Sequence, residues 1–176
     1  MAIDRRLRKT ENALQSAFVD LVLEEGYESL KLTDVIAKAD LNKSTFYLHY
    51  ASLLSVSYAI EDKALAVLSD AFHNAEGNDL EKTLAVLNAI YKERKTLNAL
   101  ILVSDSHLYK KAEGSFKNFY LSLGVVTNDP NPSIKAAFLF GGTYGAIRNW
   151  ILNGNRNDKE KLAKMICESL GTSDTK

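Results

Sequence analysis

The two prolines of this 176-residue chain, Pro130 and Pro132, lie within three residues of each other, so the first 129 residues contain none. Proline fixes φ and removes a backbone donor, which breaks helices. A long proline-free stretch is free to run helical, and its apolar spacing follows that option. Leu14, Ala17, Phe18, Leu21 and Val22 recur at i, i+3, i+4, i+7 and i+8, one face of a helix. Gly26 stands where that helix should end. A short helix follows through Asp34-Val35-Ile36-Ala37-Lys38-Ala39, with Thr33 as its expected cap. Asp40-Leu41-Asn42 then leads into a second short helix over 43–49, for which Asn42 is a good cap. Ser52 is placed to cap a longer helix running to about residue 74.

The polar run Asn74-Ala75-Glu76-Gly77-Asn78-Asp79 ends that helix. Leu80, Leu84, Leu87 and Tyr91 share the next face, and a further helix is expected over 97–103. Leu108, Ala112, Phe116, Phe119 and Leu123 mark another, weakened by Gly114. Asn128-Asp129-Pro130-Asn131-Pro132 reads as a loop, with Pro132 at the first position of a helix that Gly154 stops after Asn153. The last helix pairs Asn157 with Glu160 as a capping-box variant, has Leu162, Met165, Ile166 and Leu170 as its apolar face, and closes at Gly171. The tail 172–176 should fray. No strand-like alternation, internal repeat or low-complexity segment is present in the sequence. The expected class is all-α, with about nine helices in total.

Charge narrows the partners. There are 22 basic and 22 acidic side chains, so bulk attraction to nucleic acid or anionic lipid is absent and local placement must supply it. The stretch most like a membrane span is the 12 uncharged residues between Lys135 and Arg148, well short of the ~20 needed. The amino terminus, Met1-Ala2-Ile3-Asp4-Arg5-Arg6, lacks a signal peptide's apolar core. A lone Cys167 excludes an internal disulfide and suits a reducing compartment. A cytoplasmic protein without membrane partners is expected.

Two short helices joined by a tight turn, behind a longer packing helix, outline a helix-turn-helix, a unit that lays its second short helix in the DNA major groove. The residue types fit. Asn42, Lys43, Ser44, Thr45, Tyr47 and His49 crowd donors and acceptors onto one short segment. Phe46 and Tyr50, at i and i+4, supply its docking side. Arg5, Arg6, Arg8 and Lys9 place four cations ahead of the first helix, suited to phosphates. Residues 1–50 carry 7 basic and 8 acidic groups, but Glu24, Glu25 and Glu28 cluster apart from the cations.

The run Thr33-Asp34-Val35-Ile36-Ala37-Lys38-Ala39-Asp40-Leu41-Asn42-Lys43-Ser44-Thr45-Phe46-Tyr47-Leu48-His49-Tyr50 resembles the DNA-binding domain of TetR/AcrR-type transcriptional regulators. Ala13, Phe18 and Gly26-Tyr27 match the same pattern, and the resemblance covers about residues 8–60. It implies a homodimer with a head at 1–54 and a helical dimerisation and effector body at 55–176. Carried over by position, Thr33, Asn42, Lys43, Ser44, Thr45, Tyr47 and His49 would face an operator. Two positions depart from the family's pattern. Asp40 replaces the usual turn glycine, which aspartate tolerates better than most residues. Leu53 replaces a lysine that usually grips a phosphate, which should weaken non-specific affinity.

In the body, Ala137, Gly141 and Gly145 form a small-residue stripe beside Phe140, Tyr144, Ile147 and Ile151. The tract Gly141-Gly142-Thr143-Tyr144-Gly145-Ala146-Ile147-Arg148-Asn149-Trp150 resembles a small-bodied branch of the family that includes regulators found beside dihydroxyacetone kinase genes. The resemblance implies a two-fold interface from 133–153 and 158–170. Tyr58, Phe72, Tyr91, His107, Phe116, Phe119, Tyr120 and Tyr144 are candidates to line a small-molecule effector site, or they are core. The leading expectation is a repressor released from a palindromic operator by an effector. The alternative is a TetR-like co-activator whose body binds a partner protein. His49, His73, His107 and Cys167 lack metal-ligand spacing, Cys167 reads as a small buried hydrophobe, and no cofactor or enzyme motif is present in the sequence.

Overall fold

The computed structural model describes residues 2–122, 131–153 and 158–171, with side chains for all of these but residues 2–4 and 119–122. Nine α-helices lie among them, with no strand: α1 (Ala2–Glu25), α2 (Leu32–Lys38), α3 (Lys43–His49), α4 (Leu53–His73), α5 (Asp79–Lys92), α6 (Arg94–Ile101), α7 (Leu108–Ser122), α8 (Pro132–Asn153) and α9 (Lys159–Leu170). The chain divides into two compact units, one of residues 1–64 and 95–108, the other of 65–94 and 109–176. The expected head at 1–54 falls inside the first, which also takes the start of α4 and most of α6.

In the first unit α1 packs on α2, and α2 on α3. The face expected from periodicity is the buried one. Leu14, Phe18 and Val22 are fully excluded from water, and Leu21, Val35, Phe46 and Val56 are buried as well. Each such side chain contributes about 1.5–3 kcal/mol by leaving water. Gly26 ends α1 at φ 81°, a left-handed conformation that glycine adopts without a Cβ clash. A single 3-10 turn, Tyr27–Ser29, leads onward and was not foreseen from the sequence.

Several local details differ from the sequence expectation. Thr33 is not the cap of α2. That helix begins at Leu32 after Lys31, which makes no side-chain cap bond, and the Thr33 hydroxyl donates to Asp34 Oδ1 at 3.2 Å. The cations from Arg5 to Lys9 lie within α1, not ahead of it, because no proline or glycine interrupts the chain there. Ser52 caps α4 as expected, in reciprocal bonds with Ser55: each backbone N–H donates to the other's hydroxyl, at 3.0 and 3.2 Å.

Glu61, fully buried on α4, joins this unit's distant segments. Its Oε1 accepts from Ser106 Oγ at 2.9 Å and from the His107 N–H at 3.0 Å. Ser104 Oγ donates to Glu28 Oε1 at 2.6 Å.

In the second unit α5 and α8 each pack on α9. Asn78 and Glu81 form a reciprocal capping box at the start of α5. Cys167 is buried beside Thr83, 3.4 Å from its hydroxyl, as a small core residue. Pro132 opens α8 and Gly171 closes α9 at φ 73°. Asp158 precedes α9 without a side-chain cap bond. The expected Asn157 cap, the Gly154 stop, Leu123, the loop residues 128–130 and the tail 172–176 lie outside the described residues. No described helix is long and apolar enough to cross a membrane.

Candidate nucleic-acid interface

The turn between α2 and α3 fixes how α3 is presented. Asp40 adopts φ 54°, the one positive φ among described non-glycine residues. Around it the Leu41 N–H donates to the Ile36 carbonyl and the Asp40 N–H to the Ala37 carbonyl, both at 3.1 Å. That pair of bonds is a Schellman closure, with Asp40 in the position glycine usually takes. The aspartate therefore keeps the turn.

α3 then starts on Asn42. Its Oδ1 accepts from the Thr45 N–H at 2.8 Å, from Thr45 Oγ1 at 2.8 Å and from Ser44 Oγ at 2.7 Å. One carbonyl thus caps the helix and gathers two hydroxyls whose oxygens remain able to accept or re-aim.

The inward side of α3 is set by Phe46, Tyr50 and His49. Phe46 is fully buried and meets Tyr47 edge-on at 5.5 Å. Gln15 Nε2 of α1 donates to Tyr50 Oη at 2.9 Å. Burial pushes the Tyr50 hydroxyl's pKa above 10.0, the nearby Glu11 adds to the rise, and the Gln15 bond opposes it. His49 was expected to face DNA. Its side chain is only 6% exposed and turns to Glu11, with Nδ1 3.4 Å from Oε1. It sits three residues after Phe46, on the docking side, and anchors α3 to α1.

The outward side is Lys43, Ser44, Tyr47 and Leu48, all exposed. The Lys43 ammonium lies 6.0 Å over the Tyr47 ring, at the outer range of a cation–π contact. Asn42 and Thr33 are exposed, and Thr45 is half-buried. Arg5 and Arg6 are exposed on α1, whereas Lys38 is tied to Glu24 at 2.8 Å. Leu53 is half-buried at the start of α4. Leu48 was missed from sequence. The signal was there: an apolar residue on a helix whose inward positions Phe46 and Tyr50 already fill.

The residues expected to line an effector site are divided between the two units. Tyr58 and His107 stack in the first unit with ring centroids 4.5 Å apart. In the second, Phe116 and Tyr144 each meet Phe140, at 5.5 and 5.6 Å, and Tyr109 meets Phe140 and Tyr144 at 5.1 and 4.9 Å, an aromatic cluster of α7 and α8 in which Phe140 is buried and Tyr109 exposed. Tyr91 lies 6.1 Å from Trp150 and under the Arg94 guanidinium at 4.4 Å. Phe72 meets the Lys82 ammonium at 5.8 Å. The Phe119 and Tyr120 side chains lie outside the described residues. Among the described residues no cluster of three histidine, cysteine or acidic side chains is placed to hold a metal.

This fold has close counterparts. A TetR transcriptional regulator from Streptococcus agalactiae 2603V superposes over 97% of this chain and 98% of its own, with a TM-score of 0.73 at 20% identity. Full-length TylP, a TetR regulator from Streptomyces fradiae, does so over 95% and 87%, with 0.69 at 15%. A TetR/AcrR-family regulator from Aquifex aeolicus VF5 covers 92% and 98%, with 0.62 at 19%. The chain therefore has the fold of TetR-type transcriptional regulators. No family model matches it. In sequence it is similar to YxbF of Bacillus subtilis (strain 168), an uncharacterised HTH-type transcriptional regulator, at 32% identity over 92 residues. The match covers 48% of this chain and about a quarter of that relative, 24%.

Proposed function

We propose that this chain is a sequence-specific DNA-binding transcriptional regulator of the TetR type, acting as a homodimer. The observation that carries the reading is α3, which buries Phe46 and holds Lys43, Ser44 and Tyr47 outward on a capped, closed turn. Lys43, Arg5 and Arg6 supply phosphate charge, while Thr33, Asn42, Ser44, Thr45 and Tyr47 supply hydrogen bonds to backbone and base edges. His49 positions the helix.

The dimer reading draws on α8 and α9. Ile134 and Phe138 are 68% and 79% exposed, and Met165 of α9 is exposed as well. Among the described residues a Cβ at Gly141, Gly142 or Gly145 would meet nothing within 4 Å, so packing among them does not account for these glycines. Close approach of a symmetry mate through 133–153 and 158–170 accounts for both features. The regulatory mode in this reading is repression, relieved when a small molecule binds the DNA-incompetent state more tightly.

The test is selection of duplexes from a random pool, then fluorescence anisotropy on the enriched sequence and a scrambled control. Six phosphates neutralised per dimer, by Lys43, Arg5 and Arg6 of each protomer, give a log–log salt slope of about −5, or about a thousandfold loss between roughly 50 and 200 mM salt. Lys43→Ala should lower the slope by about 1.8 per dimer. Failure to enrich any sequence would sink the reading. An enriched sequence with an unchanged slope in Lys43→Ala would remove Lys43 from the phosphate contacts.

A further inference from the structure

We propose that Leu48 is a specificity-determining residue of the DNA-binding reading above, its side chain taking the C5-methyl group of a thymine in the major groove. At 83% exposed it is the most exposed large apolar side chain among the described residues. It is also held firmly. α3 is fixed beneath it by buried Phe46, by Tyr50 bonded to Gln15 and by His49 turned to Glu11. Packing among the described residues therefore leaves Leu48 largely uncovered and does not explain its type.

Its surroundings indicate what would. On a helix, residues four apart lie on one face. Leu48 follows Ser44 at that spacing and neighbours Tyr47 and Lys43 across the same outward side. A surface of hydroxyls and one cation suits phosphates and base edges, and a leucine in its midst needs an apolar feature on the same partner. In the major groove the thymine methyl is the apolar group that distinguishes one base from the others. Leucine has no donor or acceptor with which to read any other base edge.

The experiment uses the full chain and the duplex enriched by selection. Each thymine of the half-site is replaced in turn by deoxyuridine, which keeps the pairing and removes only the methyl. Wild-type protein should lose about fourfold at one position per half-site, and about fifteenfold when both half-sites are changed, as expected for one buried methyl each. Leu48→Ala should bind the thymine duplex more weakly and show almost no difference between thymine and deoxyuridine there. Leu48→Met should keep the difference. Exposure at this position means both variants should melt as wild type does, which circular dichroism checks.

Two results overturn the assignment: no thymine position sensitive to methyl loss in the wild type, or an equal loss in Leu48→Ala. Both leave the regulator reading standing, because the experiment starts only from a duplex that selection has enriched. If the pool yields no enriched sequence, the regulator reading fails first and Leu48's role falls with it.

Discussion

Asp40 offers a test of how the turn holds the candidate recognition helix. It sits at φ 54° with its amide and that of Leu41 closing α2. A side chain in this region pushes Cβ toward the next carbonyl, at a cost of about 1–2 kcal/mol for an ordinary residue and less for aspartate. Glycine avoids that cost but gains about 0.4–1 kcal/mol of freedom in the unfolded chain, which offsets part of the benefit. Asp40→Gly should therefore equal the wild type or exceed it by up to about 0.5 kcal/mol. Asp40→Ala should lie about 1 kcal/mol below it, and β-branched Asp40→Val about 2 kcal/mol below. For a chain of this length each kcal/mol moves Tm by about 2–4 °C, so thermal melts followed by circular dichroism resolve the series. The backbone bonds are the same in all four proteins, so the order Gly, Asp, Ala, Val reports the left-handed conformation together with glycine's unfolded-chain entropy. Equal melting of Asp40→Ala, Asp40→Val and the wild type would refute the reasoning, since an unstrained turn has no preference to express. On DNA, Asp40→Gly should bind as wild type and Asp40→Val more weakly, because α3 then leaves its docked position more often.

Leu53→Lys should add one phosphate contact per protomer, raising non-specific DNA affinity and steepening the dimer's salt slope by about 1.8; an unchanged slope in anisotropy titrations would place residue 53 off the backbone. Phe138→Asp puts a charge on the exposed α8 face, so light scattering should show a folded monomer where the wild type is dimeric, and a wild-type mass would move the interface elsewhere. Tyr50 is held neutral by its burial, so its share of stability is complete below about pH 10 and is lost as pH rises through the raised folded value. Melts across alkaline pH should therefore fall less steeply in Tyr50→Phe than in wild type, Tyr27 and Tyr144 supplying the rest of the slope, and identical slopes would remove Tyr50 from it.

What the sequence made legible is what short-range chemistry decides. Asn42 caps α3, Pro132 opens α8, and Gly26 and Gly171 close helices, because each acts on backbone groups within about one turn of itself. Thr33 failed as a cap because its hydroxyl had a nearer partner, Asp34, inside a helix that had already begun. His49 lies on a side that residue type alone does not indicate. Its residue type suggests DNA, but its spacing from Phe46 puts it on the docking side, and spacing prevailed over type. The aromatic residues proposed for an effector site carry no such local information. Tyr58 meets His107 across 49 residues of sequence, and Phe116 and Tyr144 meet through Phe140 and Tyr109. Spacing along one helix cannot say which distant side chain an aromatic residue meets.

The same division explains how the candidate interface is built. Local bonds fix where α3 begins: the Asp40 closure sets the direction of the chain and the Asn42 carbonyl sets the first turn. They leave its rotation about its own axis open. That rotation is set by partners distant in sequence, Gln15 to Tyr50 across 35 residues and Glu11 to His49 across 38, with Phe46 buried among core side chains. A rotation of α3 by one residue, about 100°, would carry Leu48 and Tyr47 off the outward side. Loss of either long-range bond should therefore weaken sequence discrimination more than charge-driven binding, since phosphate contacts tolerate a change of angle and base-edge contacts do not. In His49→Ala, the ratio of affinities for the enriched and scrambled duplexes should fall while the salt slope on the scrambled duplex stays the same. A parallel loss on both duplexes would mean that His49 holds the fold of the unit rather than the angle of its helix.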